Sequence, residues 1–175
     1  MKKLFIICSI IAVLLLSACT VPGTSKNPSG SQETQADTPV AAPDFELESL
    51  DGNKVRLSDL KGRPVVINFL TTWCVYCDRE LPYFMSTKEE YGDEVAFLFI
   101  DVNESISDVK AYRDKKGFDN FSPLLDSNGS VARLYGVNGY PNTIIVDDDG
   151  NIAGIYRGMI EEGMLKKAVE AAKSN

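Results

Sequence analysis

The segment Trp73–Cys77, with the sequence WCVYC, decides the fold of this chain. It follows an apolar run, Pro64–Leu70, that predicts a strand buried on both faces, and it precedes a helical pattern that begins at Asp78–Leu81. Cys74 therefore falls at a helix start, with Cys77 one turn later on the same side. A helix N-terminus carries partial positive charge and favours a thiolate, the species that attacks disulfides. The spacing predicts a dithiol that opens and closes.

Other uses of two cysteines at this spacing are less well supported. A structural zinc site needs four ligands, and the chain has no histidine and no second cysteine pair. Covalent haem attachment needs a histidine directly after the second cysteine, where this chain has Asp78. A static disulfide remains open as an alternative, although so small a loop gives little chain-entropy stabilisation. We therefore expect no metal and no cofactor beyond the redox-active disulfide Cys74–Cys77.

The N-terminal sequence is typical of a targeting segment. Lys2 and Lys3 are followed by the mostly apolar run Leu4–Leu16, which is short for a transmembrane helix. The run ends in Leu16–Cys19, with small residues before the cysteine, and is similar to the lipobox of bacterial lipoproteins. That resemblance implies removal of residues 1–18 and lipid on Cys19. An ordinary signal peptide or an uncleaved anchor is the alternative, and each of the three places the body outside the cytoplasm.

The remaining chain divides by composition into a tether and one domain. Residues 19–40 are rich in Ser, Thr, Pro, Gly and Gln and predict a flexible tether, whereas residues 41–175 have the length of a single domain. Loss of Lys2 and Lys3 would take the formal charge from −7 to −9. So acidic a chain argues against nucleic acid as a partner and against an electrostatic attraction to anionic lipid. We expect a monomer held at a membrane by its lipid.

Hydrophobic patterning predicts an α/β domain with a mixed central sheet, helices on both faces and an added N-terminal β-hairpin. The predicted hairpin strands are Phe45–Glu48 and Val55–Leu57, and further strands are predicted at Val65–Leu70, Glu94–Asp101, Phe121–Leu125, Thr143–Asp147 and Ile152–Arg157. The predicted helices run from Cys74 to about Tyr91, from a Ser107 cap to Lys116, over Ser130–Tyr135 and from Glu161 to about Lys173.

With these features in place the chain resembles the thioredoxin superfamily, and more closely its membrane-tethered TlpA/ResA-like thiol–disulfide oxidoreductases. The resemblance spans about Ala42 to Arg157 and implies a thioredoxin fold. The segments that carry it are Ala42–Phe45, Leu60–Phe69, Trp73–Cys77, Glu80–Pro82 and Tyr140–Pro141.

The resemblance also implies roles for individual residues. Cys74 matches the exposed nucleophile of the family, and Cys77 matches its buried resolving thiol. Pro141 matches the cis-proline that lies opposite the dithiol and helps to form the substrate groove, together with Tyr140 and Trp73. An extended substrate would pair with backbone beside Tyr140.

The proton partner of the dithiol differs from that of cytosolic thioredoxins. Those proteins carry a buried aspartate six residues before the first cysteine, where this chain has Asn68. Tethered members of the family carry an acid at the position of Glu80, one turn beyond Cys77. We therefore predict that Glu80 exchanges the proton of Cys77 and that burial raises its pKa. The alternative for Glu80 is a solvated helix residue.

The function predicted from these features is reduction of protein disulfides outside the cytoplasm. The resemblance implies a membrane thiol donor similar to CcdA or DsbD, and clients that include apocytochromes in cytochrome c maturation. A disulfide-forming oxidase of the same fold stays open, because Val75 and Tyr76 depart from the commoner residues between the two cysteines. The identity of the clients and the reduction potential also stay open.

Two other classes are weighed against this function. A non-catalytic binding lipoprotein would carry an inert disulfide. A peroxiredoxin is considered because the segment Ala42–Phe69 is shared with that family, whose attacking cysteine follows a Pro-x-x-x-Thr/Ser-x-x pattern. Here Thr71 fits the Thr/Ser place before Cys74, but Ile67 occupies the place of the proline.

Overall fold

The computed structural model describes residues 39–117 and 120–173. The predicted leader (residues 1–18), most of the predicted tether and Cys19 lie outside the described residues. No helix in the described ranges has the length and apolarity needed to span a membrane.

Seven strands and four α-helices form within the described residues, and their order confirms the predicted α/β class. The strands are β1 (Glu46–Glu48), β2 (Lys54–Arg56), β3 (Val65–Leu70), β4 (Ala96–Val102), β5 (Leu124–Asp126), β6 (Asn142–Val146) and β7 (Ile152–Arg157). The helices are α1 (Val75–Tyr91), α2 (Ile106–Lys116), α3 (Ser130–Leu134) and α4 (Glu162–Ala172). Two single 3₁₀ turns, Leu57–Leu60 and Gly92–Glu94, precede β3 and β4.

The central sheet is mixed and has the strand order β5-β4-β3-β6-β7. Strand β3 pairs in parallel with β4 and antiparallel with β6, so it lies at the centre of the sheet. All six of its residues are buried, as its apolar sequence predicts for a strand covered on both faces. Strands β1 and β2 form the separate antiparallel hairpin, and the thioredoxin fold with an added N-terminal hairpin is confirmed.

Two apolar clusters, one on each face of the sheet, form the core. One cluster joins Val66 and Leu70 of β3 to α1 and α4 and includes both cysteines of the dithiol. The other joins Ile67 and Phe69 of β3 to α3 and to the base of the hairpin. Alternate side chains of a strand point to opposite faces, so β3 anchors both clusters and holds the start of α1 against the sheet.

Helix α1 continues past a proline. Pro82 is the eighth of the seventeen residues of the helix, which continues to Tyr91. The face of α1 that packs on the sheet carries the buried residues Cys77, Glu80, Leu81, Phe84 and Met85. Their spacing of three and four residues is that of a helix with one buried side, which confirms the predicted helix.

The predicted cap of α2 is wrong by two residues. The helix begins at Ile106, and Ser105 is its N-cap, since its hydroxyl oxygen accepts the backbone N–H of Asp108 at 3.2 Å. Ser107 lies within the first turn, and its hydroxyl is 2.7 Å from that of Ser105. Asp108, three residues after Ser105, accepts a hydrogen bond from the Ser105 hydroxyl, which favours the earlier serine as cap. Gly117 ends the helix in the left-handed conformation, as predicted.

Candidate active site

A tight turn connects the end of β3 to the start of α1 and delivers the first cysteine. The backbone N–H of Cys74 donates to the carbonyl oxygen of Thr71 at 3.2 Å, which closes the turn. Cys74 then serves as the N-cap of α1, with extended backbone and with its sulfur accepting the backbone N–H of Cys77 at 3.1 Å. An N-cap side chain normally supplies an oxygen for this purpose. Here the reactive sulfur takes that place and lies at the positive end of the helix.

Cys74 and Cys77 form a disulfide with their Cα atoms 5.3 Å apart. The resemblance implies an exposed nucleophile, but only 7% of Cys74 is accessible, compared with 3% of Cys77. Cys74 is thus the more accessible cysteine, although both belong to the buried core. The accessible surface at the dithiol comes from its neighbours instead, since Trp73 is 68%, Val75 61% and Tyr76 56% exposed.

The predicted groove residues lie together beside the dithiol segment. The ring of Trp73 meets that of Tyr140 edge to face, with the centroids 6.2 Å apart. The peptide bond between Tyr140 and Pro141 is cis, as the resemblance implies. Pro141 is buried directly before β6, and its carbonyl oxygen accepts the N–H of Gly158 at 2.9 Å. The structure therefore brings Trp73, Tyr140 and Pro141 into one region, while their part in substrate binding stays a prediction.

Glu80 is fully buried, and its two carboxyl oxygens have separate donors. Only 1% of the residue is exposed, which rules out the solvated alternative. Oε1 accepts the side-chain N–H of Asn68 at 2.9 Å, and Oε2 accepts the backbone N–H of Ile160 at 3.2 Å. The Asn68 side chain also donates to the hydroxyl oxygen of Thr143 at 3.0 Å. Asn68, which stands where cytosolic thioredoxins have the buried aspartate, thus donates a hydrogen bond to Glu80. Glu80 is the acid predicted to take over the role of that aspartate.

Burial raises the pKa of Glu80 to about 7, and the two donated hydrogen bonds lower it only in part. A carboxyl group with this pKa exists in both protonation states near neutral pH, as a group that accepts and returns a proton must. The direction of the shift is the one predicted from the sequence. Glu80 lies one helical turn beyond Cys77 on the buried face of α1, so the prediction that it serves this thiol fits the geometry.

The two residues between Cys77 and Glu80 contact other side chains. The carboxylate of Asp78 accepts the hydroxyl of Tyr112 at 2.8 Å and pairs with Lys116 at 2.5 Å, which joins α1 to α2. Although burial opposes ionisation of Asp78, its hydrogen bonds to Lys116 and Tyr112 hold its pKa below the ordinary value. Arg79 lies over the ring of Tyr76 at 5.5 Å.

Several residues of the site have no sequence pattern that would have pointed to them. Thr143 and the N–H of Ile160 reach the dithiol region from distant parts of the chain. Glu104 accepts two hydrogen bonds from Thr72, which precedes Trp73. Within the part of the chain that the structure describes, no three Cys, Asp or Glu side chains converge to hold a metal ion.

Comparison with known proteins agrees with this geometry. The family model described as the AhpC/TSA family matches residues 40–155. The chain belongs to this family. It is 36% identical over 149 residues to the thioredoxin-like protein YneN of Bacillus subtilis, covering 83% of this chain and 81% of that protein. It is 30% identical over 165 residues to the thiol–disulfide oxidoreductase ResA of Bacillus subtilis, covering 94% and 90%.

A solved structure gives the same result for the fold. The exposed lipoprotein thioredoxin Etrx1 of Streptococcus pneumoniae matches with a TM-score of 0.69 and 29% identity, over 74% of this chain and 99% of the other. The predicted TlpA/ResA-like relationship is confirmed, and the chain is a thiol–disulfide oxidoreductase of the ResA type.

We predict that Glu80→Gln removes part of the pH dependence of stability. The pKa of Glu80 is raised on folding, so the folded state binds the proton more tightly, and the stabilisation from this group is lost as pH rises from about 4.5 to about 7. The glutamine variant lacks this loss. Its free energy of unfolding relative to wild type should therefore increase across this range by up to roughly 3 kcal/mol.

Urea unfolding of the oxidised proteins at several pH values measures this difference. Glu89→Gln is the matched control, because Glu89 is exposed on the same helix, and it should follow the wild-type profile. Parallel profiles for Glu80→Gln and wild type would show that Glu80 does not change its proton affinity on folding.

Proposed function

We propose that this chain is an extracytoplasmic thiol–disulfide oxidoreductase that reduces disulfides in proteins through Cys74 and Cys77. The observation that carries the proposal is the Cys74 sulfur at the N-cap of α1, where it accepts the N–H of Cys77. Reduction would leave a thiolate at this place, stabilised by the same N–H and by the helix dipole. Cys74 then attacks a client disulfide, and Cys77 displaces the client from the mixed disulfide.

Glu80 supplies the acid–base step in this proposal. Cys77 must lose its proton to attack the mixed disulfide, and it regains a proton when the dithiol is restored. Glu80 is the buried carboxyl one turn away, and burial places its pKa near 7. Asn68 and the N–H of Ile160 fix the carboxyl by one donor on each oxygen, so the group does not need to reorganise between steps.

Exposed apolar side chains around the dithiol support a protein as the substrate. Trp73, Val75 and Tyr76 are each more than half exposed and surround a disulfide that is itself almost inaccessible. A client that covers these side chains would bring its own disulfide to Cys74. The electrons would come from a membrane thiol donor of the CcdA or DsbD kind, and apocytochromes are among the clients we propose.

The leader sequence and one similar structure support the proposed location. The sequence Leu16–Cys19 resembles a lipobox, and Etrx1, whose fold this chain shares, is named a lipoprotein thioredoxin. We propose that lipid on Cys19 anchors the domain to a bacterial membrane, outside the cytoplasm, by way of the tether, residues 19–40.

Peroxidase activity is the less favoured alternative. The matching family is described as the AhpC/TSA family. The segment Ala42–Phe69 is the part of the chain that resembles peroxiredoxins as well as thioredoxins of this type. The hydroxyl of Thr71, which occupies the Thr/Ser place, makes no hydrogen bond to any residue in the described ranges. Cys74 accepts instead from the N–H of Cys77. The thiol environment thus favours dithiol exchange.

We predict opposite outcomes for the two cysteine substitutions. Cys77→Ser should accumulate mixed disulfides between Cys74 and client proteins, because the resolving thiol is missing. Cys74→Ser should accumulate none, because no thiolate forms at the helix start. Non-reducing electrophoresis and mass spectrometry of the captured species measure both. Equal capture by the two variants would contradict the assignment of roles.

We predict that Cys19→Ala moves the protein from the membrane fraction to a soluble fraction and leaves its dithiol exchange intact. The lipid is attached at Cys19 in this account, while the domain that carries the dithiol begins near residue 41. Cys8→Ala is the matched control and should stay at the membrane, because Cys8 lies in the removed leader. A wild-type protein that is soluble, with the mass of the unmodified chain, would rule out the lipid anchor.

A further inference from the structure

The turn that places Cys74 at the start of α1 is hydrogen-bonded to the loop between β4 and α2. Thr72 is the second residue of that turn and donates its backbone N–H to Oε2 of Glu104 and its hydroxyl to Oε1 of the same residue, both at 2.5 Å. Glu104 belongs to the loop between β4 and α2. A two-point contact of this kind fixes both the position and the orientation of Thr72, two residues before the reactive sulfur.

A second carboxyl group, that of Asp101, lies next to Glu104. Asp101 is near the end of β4, where it pairs in register with Leu70, the last residue of β3. Only 1% of Asp101 is exposed, and its Oδ2 accepts no hydrogen bond from any residue that the structure describes. Its carboxyl lies next to that of Glu104, in position for a hydrogen bond between the two side chains. Two carboxyl groups can form such a bond only when one of them carries a proton.

The surroundings of Asp101 favour its protonated form. Burial, and then the contact with Glu104, raises the pKa of Asp101 to about 8. The charges that act on it within the described residues, Glu104 and Asp108 of α2, are both negative. Tyr112 of α2 and Tyr140 before β6 face the same carboxyl groups, which help to raise the pKa of each phenol. At neutral pH Asp101 is therefore the donor, and Glu104 accepts from both Asp101 and Thr72.

We propose that Glu104 is a positioning residue for the dithiol, and that Asp101 is the acid whose proton keeps Glu104 in place on Thr72. This inference rests on the proposed role of Cys74 as the attacking thiol. When Asp101 loses its proton, two adjacent carboxylates repel each other and Glu104 moves off Thr72. The turn then loosens, and Cys74 meets a client disulfide less often in the geometry that allows attack.

The experiment separates the position of Cys74 from its ionisation. In a Cys77→Ser background, two rates at Cys74 are measured by mass spectrometry between pH 6 and pH 10. One is the formation of a mixed disulfide with a peptide disulfide, and the other is alkylation by iodoacetamide. Both rates scale with the thiolate fraction, so their ratio cancels it and reports how well Cys74 is placed for exchange.

We expect this ratio to fall roughly fivefold or more as the pH passes about 8, because the two-point contact of Glu104 with Thr72 is lost. Asp101→Asn should remove the fall, because its amide donates to Glu104 at every pH. Glu104→Ala should give a low ratio throughout, and Glu104→Gln an intermediate one, since its amide oxygen still accepts one hydrogen bond. Asp108→Asn is the control for charge alone, since it removes an exposed acid four residues from Glu104, and it should keep the fall.

A second measurement, whose wild-type part stands without any variant, covers the case in which a variant does not fold. The NMR shift of the Thr72 amide proton should titrate near pH 8 in wild type and stay constant in Asp101→Asn. The same fall in ratio for wild type and Asp101→Asn, or no fall in either, would overturn the inference. Failure of Cys74 to form a mixed disulfide at any pH would instead overturn the proposed function.

Discussion

The site depends on where α1 begins. The end of β3 fixes Thr71, the turn places Cys74 at the N-cap, and a free N–H of the first helical turn, that of Cys77, then meets sulfur rather than oxygen. The hydrogen bond that satisfies this free backbone N–H is thus also the one that would stabilise a thiolate on Cys74. A shift of the helix start by one residue would leave Cys77 on a different face and take the sulfur from its donor. The position of the helix start therefore determines both how this segment folds and how reactive Cys74 is.

Two buried carboxyl groups lie on opposite sides of β3 at this end of the sheet. Glu80 contacts Asn68 of β3 next to β6, and Asp101 lies on β4. Burial raises the pKa of both groups, to about 7 and about 8. Near neutral pH Asp101 is therefore mostly protonated and Glu80 partly so, which lowers the negative charge that these two groups place at the site. A thiolate at Cys74 can form there without strong repulsion, and this would not hold for two ionised carboxylates.

Much of this arrangement could be predicted because it is local. The bounds of β3 and the start of α1 follow from patterns over a few residues, and the fold and family follow from how those patterns are combined. The predicted role of Glu80 comes from the resemblance to tethered members of the family. The donors to Glu80 could not be predicted, because the N–H of Ile160 comes from eighty residues away and only the closed sheet brings it there. The contact of Glu104 with Thr72 spans thirty-two residues and has no sequence pattern of its own.

Two local expectations failed for reasons that are also physical. Ser105 and Ser107 are equally good caps by residue type, and the acid at Asp108 decides between them through its hydrogen bond to Ser105. Cys74 is expected to be exposed at a helix start, yet it packs in the same cluster as Leu70 and Leu81. A sequence pattern locates the sulfur on the helix but does not show how closely the sheet approaches it.

The reduction potential of the Cys74–Cys77 pair tests the central claim most directly. Equilibration of the full-length protein with glutathione or dithiothreitol, followed by quantification of the two redox forms, gives the value at pH 7. A reductase of protein disulfides should have a potential near that of thioredoxin, about −270 mV, with exchange complete in minutes. A potential near −120 mV, as in a strong oxidant, would contradict the reducing direction, and a disulfide that does not exchange at all would contradict the account of the dithiol as a catalytic pair.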